Sequence, residues 1–264
     1  MLQVDPVSVH RRKFLAWRGD VSGNDPTASV TMNRNKTVRA IFGTGLSTTV
    51  AGNGAITLIP AGGVYPFGTV VRLYAVPQTG NYFAVWGNAA SGSSNPLSLS
   101  LTNSNPTVSS LFTSLSAGQF ALTVLSDGFG QVMVAPQTNR YNSGATVTLT
   151  SVPNTGQQFI GWSGDAAGTN SPLVVLMNQS RIITASFTRR PSLSVASGLD
   201  GLTEQGFRLT LTGEFGGHFR VDGSTDLLDW FELLTLTNTY GSTQFTDGSA
   251  TNLPLRFYRG VTVP

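Results

Sequence analysis

Apolar and polar residues alternate with a period of two along most of the chain, in short runs separated by Gly, Pro, Asn and Ser. The stretch ALTVLSDGFGQVMVAP (121–136) holds two such runs around Asp127-Gly128, which predicts a β-hairpin. ATVTLTSVP (145–153) alternates cleanly and predicts a strand. VVLMNQSRIITASF (174–187) predicts a second hairpin, with Asn178-Gln179-Ser180 at its turn. No window of eleven or more residues carries the 3.6-residue stripe of an amphipathic helix. The chain therefore reads as all-β.

The strand pattern repeats. NRYNSGATVTLTSVPNTGQQFIGWSGD (139–165) aligns without a gap on GVYPFGTVVRLYAVPQTGNYFAVWGNA (63–89), Tyr141 with Tyr65, Gly144 with Gly68, Pro153 with Pro77 and Phe159 with Phe83, at an offset of 76. The same offset relates Pro136 to Pro60 and Pro172 to Pro96. After those prolines one residue drops out, and each copy then ends on a strand closed by Phe: Phe42, Phe112 and Phe187. Two full modules of about six short strands each are expected, at 47–115 and 119–188. Residues 1–43 carry only the second half of a first copy, lacking the equivalent of about 119–146.

Three copies of one aromatic motif run through these modules: FLAWRGD (14–20), FAVWGNA (83–89) and FIGWSGD (159–165). Phe14, Trp17, Phe83, Trp86, Phe159 and Trp162 are read as core anchors, because a module this small needs large side chains to fill its interior. Gly19 and Gly164 would allow a sharp turn, and Asp20 and Asp165 would hydrogen-bond the loop that follows. In the second copy Asn88 is read in the place of the aspartate, with Gly87 before it. The competing functional reading is an exposed aromatic platform with Asp as a sugar or metal ligand.

The pattern GQVMVAP, then Y..GATVTLTSVPNTGQQFIGWSGD and the closing ITASF, resembles the divergent internalin-B-type repeat found in tandem in large bacterial surface and secreted proteins. The resemblance covers about residues 1–188. It implies all-β modules related to the β-grasp that serve as spacers or adhesive units, and it carries over no catalytic residue.

After RRP (189–191) the repeat stops and aspartates become frequent, which marks a domain boundary. Residues 191–264 resemble short carboxy-terminal modules of large secreted proteins from environmental bacteria, with STDL.DW, F.D and P.RFYR as the shared spine. An Ig-like or fibronectin-like β-sandwich is expected, with Trp230, Phe257 and Tyr258 packing its core. Ser224 or Thr225 would cap a single turn in STDLLDW. Asp222, Asp226, Asp229 and Asp247 raise the question of calcium, but their spacing fits no EF-hand loop, and stabilisation of turns is the preferred reading.

Charge and composition narrow the chemistry. There is no Cys, so disulfides, thiolate nucleophiles and Cys-ligated zinc are excluded. The two histidines, His10 and His218, lie in different parts of the chain, and there is no GxSxG element, so no Ser/His/acid triad is indicated. Glu204, Glu214 and Glu232 all lie in a C-terminal module too small for a usual glycosidase. Neither a catalytic residue, a cofactor nor a metal is expected. No apolar run approaches the ~20 residues needed to span a bilayer. MLQVDPVSVHRRKF interrupts any signal-peptide core with Asp and Pro, so an export signal is expected elsewhere than in this chain.

Residues 1–190 carry 12 Lys/Arg against 5 Asp/Glu, and residues 191–264 carry 4 against 8. The basic residues are scattered apart from HRRK (10–13) and RR (189–190), without the aromatic-interleaved stripe of a nucleic-acid binder. Together these features predict a non-enzymatic extracellular or cell-surface rod, spacer or fibre subunit. The partner would be a second copy of the chain, head to tail, or a neighbouring surface protein, with an incomplete first module open to strand addition. A carbohydrate-binding accessory segment of a secreted enzyme, with polysaccharide as partner, is the alternative.

Overall fold

The computed structural model describes residues 2–3, 12–195, 201–203 and 205–264, so His10 and Glu204 lie outside the described residues. Among the described residues the fold is all-β, and the one helical element is the 3-10 turn Gly248–Asn252. The chain divides into two units, Met1–Trp17 with Val21–Thr188, and Arg18–Asp20 with Arg189–Pro264.

The third repeat shows how its sequence folds. It has seven strands rather than six, because Arg140–Asn142 forms a three-residue strand of its own. A four-stranded sheet runs in the order Arg140–Asn142, Gln119–Asp127, Arg181–Phe187, Phe159–Gly164. A three-stranded sheet runs Gly130–Ala135, Ala145–Pro153, Leu173–Met177. Its first strand, Gln119–Asp127, lies parallel to its last, Arg181–Phe187, with Leu122 opposite Arg181 and Asp127 opposite Ser186. Leu122 and Val124 of the first sheet and Val147, Leu149, Val175 and Met177 of the second belong to one buried cluster with Trp162, Ile183 and Phe187. Each large apolar side chain buried there contributes about 1.5–3 kcal/mol.

Both hairpins expected from the sequence are replaced by crossings between sheets. Gln119–Asp127 pairs with Arg181–Phe187, whereas Gly130–Ala135 pairs with Ala145–Pro153. Likewise Leu173–Met177 pairs with Ala145–Pro153 while Arg181–Phe187 lies in the other sheet. A hairpin would have set the two apolar faces side by side on one sheet. Folding over at Asp127-Gly128 instead brings them face to face, where each covers the other. Gly128 sits there at φ 95, and Gly130 lies directly under the Phe187 ring, so a Cβ at either position would collide with Phe187.

The second repeat has the same plan. Ser47–Ala51 lies parallel to Thr107–Ser114, which pairs on its other side with Asn81–Asn88, and Gly54–Ile59, Val70–Pro77 and Leu97–Ser100 form the second sheet. Its first strand already begins inside Val38–Gly45, since Gly43–Gly45 pairs with Val64–Pro66 as Gln119–Ala121 pairs with Arg140–Asn142. The last strand of the first repeat thus runs directly into the first strand of the second. Between the second and third repeats, by contrast, residues 113–118 separate Phe112 from Gln119. In the first repeat Lys13–Gly19 lies beside Val38–Gly45, and Leu2–Gln3 pairs with Thr27–Ala28.

The C-terminal unit packs two antiparallel sheets. One contains Ser192–Val195, Gly206–Thr212, Leu202–Thr203 and Ser242–Asp247, the other Phe231–Asn238, Gly217–Ser224 and Phe257–Val263. Its core is small: Leu211, Phe219 and Val221, with Leu193, Leu234, Leu236 and Phe245 against them. The two sheets and the core between them make a small β-sandwich.

Candidate functional site

The aromatic motif builds the same assembly three times. Phe14 lies 5.2 Å from Trp17 and 5.9 Å from Phe42, Phe83 lies 4.6 Å from Trp86 and 5.9 Å from Phe112, and Phe159 lies 5.0 Å from Trp162 and 5.6 Å from Phe187, ring centroid to ring centroid. Trp17, Trp86 and Trp162 are 6%, 2% and 5% exposed, so none offers a ring face to a sugar. Phe14 and Phe83 are buried, and Phe159 is half-buried.

Each tryptophan also ties down a loop, a role that sequence reasoning missed. The backbone N–H of Trp17, Trp86 and Trp162 donates to the carbonyl of Gly23, Gly92 and Gly168 at 2.8, 2.9 and 2.8 Å. The indole N–H donates to the carbonyl of Asp25, Ser94 and Asn170 at 2.8, 2.8 and 2.7 Å. The signal was a glycine six residues after the tryptophan of each repeat. Tyr65 and Tyr141 act similarly, their buried hydroxyls donating to the carbonyls of Pro60 at 2.9 Å and Pro136 at 2.8 Å. Burial pushes both phenol pKa values up.

The turn after the tryptophan requires one correction of register. Gly19, Asn88 and Gly164 have φ of 97, 62 and 84, so Asn88 occupies the glycine position and Ala89 the aspartate position. Asn tolerates this left-handed conformation better than other residues with a Cβ. Asp165 does not bond the loop that follows. Its carboxylate accepts from the Ile182 backbone N–H at 2.7 Å, across to the last strand. Asp20 faces Arg208 at 3.6 Å within the C-terminal unit.

In the C-terminal unit Trp230, Phe257 and Tyr258 are half-buried and lie outside the fully buried cluster. The Trp230 ring lies under the Arg259 guanidinium at 4.4 Å, and Tyr258 stacks on Phe207 at 5.6 Å. The aspartates are engaged by neighbours of their own. Asp222 accepts from Arg220 at 2.7 Å and from Arg259 at 3.0 Å. Burial pushes its carboxyl pKa up, but the hydrogen bonds and charges of the two arginines outweigh this and hold it below the usual carboxylate range. Asp226 accepts from the backbone N–H groups of Asp229 and Leu228, both at 2.9 Å, which lowers its pKa, and Ser224 Oγ accepts from Leu227 N–H at 2.8 Å. Asp247 caps Ser249 and meets Arg256 at 3.2 Å and Tyr258 Oη at 3.1 Å. Burial first, and Asp247 second, push the Tyr258 phenol up.

Among the described residues no group of three or more His, Cys, Asp or Glu is placed to hold a metal. His218 is exposed and shares a 3.1 Å hydrogen bond with Thr237, Glu214 pairs with Arg189 at 3.0 Å, and Glu232 accepts from Thr235 at 2.9 Å. These groups stand apart, each with a different partner, and make no acid–base pair.

A polar cleft of about 390 Å³ lies where the second and third repeats meet, lined by Tyr82, Ser93, Gln137, Asn139 and Arg140. Asn139 Nδ2 donates to the Ser93 carbonyl at 2.7 Å, and Arg140 donates to Tyr82 Oη at 3.1 Å with its guanidinium 4.7 Å from the ring centre. On the neighbouring sheet Arg72 donates to the Gly130 carbonyl, and the Tyr74 hydroxyl lies 3.5 Å from the Ser126 carbonyl. Sequence reasoning passed over this junction because its residues are not shared between the copies.

Compared with known families, residues 44–116 and 120–191, together more than half of the chain, each match the divergent InlB B-repeat domain. No curated protein matches the chain.

Proposed function

Because the chain belongs to the divergent InlB B-repeat family, we propose that it is a non-enzymatic extracellular or cell-surface protein whose tandem β modules serve as a structural or adhesive spacer. The observation that carries this reading is the junction of the second and third repeats, where Arg72, Tyr74, Asn139 and Arg140 each bond the neighbouring repeat. Such bonds hold successive modules in a set orientation, which a spacer needs and a string of beads lacks. The family is a bacterial repeat family that is typically non-enzymatic. Small-angle X-ray scattering on the full chain tests the reading: a long, narrow distance distribution supports a rod, and a compact spherical one sinks it. Protease shaving of intact cells tests the location, with loss of the protein from the cell surface as the expected result.

One observation favours a second reading, polysaccharide binding. The cleft at the junction gathers Tyr82, Gln137, Asn139 and Arg140, hydrogen-bonding groups that suit the hydroxyls of a sugar. Titration with bacterial and plant polysaccharides, repeated with Tyr82→Ala, decides it. Heat of binding that vanishes in the variant supports a carbohydrate site, and no heat with any glycan rejects it.

A further inference from the structure

The two sheets of the third repeat end in four edge strands, and three of them are ill suited to further pairing. Arg140–Asn142 is three residues long. Phe159–Gly164 is broken by a register shift between Phe159 and Gly161, and its Trp162 N–H is taken by the Gly168 carbonyl. Gly130–Ala135 runs into Pro136, and its Gly130 carbonyl accepts from Arg72 of the second repeat. Short length, bulges, prolines and occupied backbone groups all keep a sheet edge from pairing. The fourth edge, Leu173–Met177, is different. Its sequence is LVVLM, without charge, Gly or Pro, and among the described residues no strand lies on its outer side.

The open groups of this edge follow from the pleat. The Gly144 N–H donates to the Met177 carbonyl at 2.9 Å, so Met177 faces Ala145–Pro153. In an antiparallel pair successive residues turn their N–H and C=O to opposite sides, so Leu173 and Val175 face the same way as Met177, while Val174 and Leu176 face outward. The outward Leu176 carbonyl accepts from the Asn178 N–H at 3.2 Å and from Arg181 Nε at 3.3 Å, long bonds that an incoming strand can replace. The Val174 and Leu176 side chains are 64% and 53% exposed. The second repeat has Leu97–Ser100 at this place, with the exposed Ser98 and Ser100 where the third has Val174 and Leu176. The unprotected apolar edge thus belongs to the third repeat and not to the module plan.

An edge of this kind takes up an extended strand, and LVVLM is complementary to itself. Turned about a two-fold axis through Val175, two such strands run antiparallel, with Val174 opposite Leu176 of the second molecule and Leu173 opposite Met177. Val174 and Leu176 then exchange both backbone hydrogen bonds, twice by symmetry, and every side chain keeps its own face of the sheet. We propose that the chain forms a two-fold dimer by pairing these edges, which joins two three-stranded sheets into one. Both molecules use the same strand, so the contact closes and assembly stops at the dimer. The contact uses none of the residues that join the second repeat to the third, so it goes beyond the spacer reading and can fail without it.

Strands of five residues bury less than the ~1,000 Å² of a lasting interface, so a dissociation constant on the order of 100 μM is expected. Sedimentation equilibrium of the full chain, at concentrations well below and well above that value, should show monomers passing to dimers and no larger species. Val174→Lys and Leu176→Glu should each weaken the dimer about tenfold or more. Mixed in equal amounts, the new lysine of one chain stands opposite the new glutamate of the other, and the dimer should return. Hydrogen exchange on the wild type reads the backbone directly. The Val174 and Leu176 amides should exchange several-fold more slowly at the highest concentration than at the lowest, while that of Val175, already turned to Ala145–Pro153, stays the same. This second measurement gives an answer even if a variant melts early. A wild type that stays monomeric at every concentration overturns the proposal and leaves the edge to a strand of another protein. Dimers in which the two amides exchange as in the monomer, growth past the dimer, or a mixture no more dimeric than its parts overturn it as well. Scattering from the dilute monomer separates this contact from the spacer: an elongated monomer that never pairs overturns the dimer alone, and a compact one that pairs sinks the spacer alone.

Discussion

The third repeat and the C-terminal unit face the same problem, holding two small sheets together, and meet it with different side chains. The repeat fills its interior with Trp162, Phe187 and a continuous set of aliphatic residues, and no charged group belongs to that cluster. The C-terminal unit has a core of Leu211, Phe219 and Val221, and it buries Asp222 and Asp247 against arginines. Burial of apolar area is insensitive to pH, whereas a buried carboxylate held by cations is not. Acid should therefore separate the two regions.

The sharpest way to break the comparison is to remove one tryptophan from each region. Trp162→Ala should cost about 3–5 kcal/mol, since it empties a buried site and frees the loop carbonyl of Asn170. Trp230→Ala should cost about 1 kcal/mol, because that ring is only half-buried and rests under one guanidinium. Urea unfolding followed by circular dichroism measures both. Next in size is Gly130→Ala, whose new methyl group meets the Phe187 ring and should cost about 1–3 kcal/mol, partly restored by Phe187→Leu in the same chain.

Asp222→Asn should cost about 1–2 kcal/mol, less than a fully buried ion pair because Arg220 and Arg259 reach solvent. The same group sets the response to acid. Its folded pKa lies below the unfolded value, so its stabilisation is present above the ordinary carboxylate pKa of about 4 and is lost as pH falls towards the lower folded value. Hydrogen exchange should then rise in Gly217–Ser224 before Arg181–Phe187, and Asp222→Asn should remove the difference. The smallest effect belongs to Asn88→Gly, which relaxes a left-handed residue and should stabilise the second repeat by about 0.5 kcal/mol, read as a small rise in melting temperature.

The duplication was legible because tyrosines, prolines and the Phe–Trp pairs sit at fixed offsets, and each of them fills or pins something in the fold. The sheet crossings at Asp127-Gly128 and Asn178-Gln179-Ser180 were not. A hairpin and a fold-over share the same local pattern, two alternating runs about a turn, and differ only in which distant strand each run pairs with. Asn88 was misplaced because Gly87 beside it looked like the turn glycine, although a gap-free alignment sets Asn88 on Gly164. The loop ties escaped because Gly23, Gly92 and Gly168 act through backbone carbonyls, which leave only a glycine in the sequence. Phe257 and Tyr258 read as core because they lie on an alternating strand. Tyr258 instead reaches out of the core to Asp247, and its hydroxyl needs that partner.

The parallel pairing of the first and last strands in each full repeat has a mechanical meaning. When a tandem array is pulled from its ends, the load enters a repeat at the start of Gln119–Asp127 and leaves at the end of Arg181–Phe187. These strands run side by side in the same direction, so tension slides one past the other instead of peeling them apart. All the hydrogen bonds between them must then yield together. The strand Val38–Gly45 passes such a load directly into the second repeat, while residues 115–118 join Thr107–Ser114 to the first strand of the third. The repeat is built to resist stretching along the array and to give way far more easily when torn from the side.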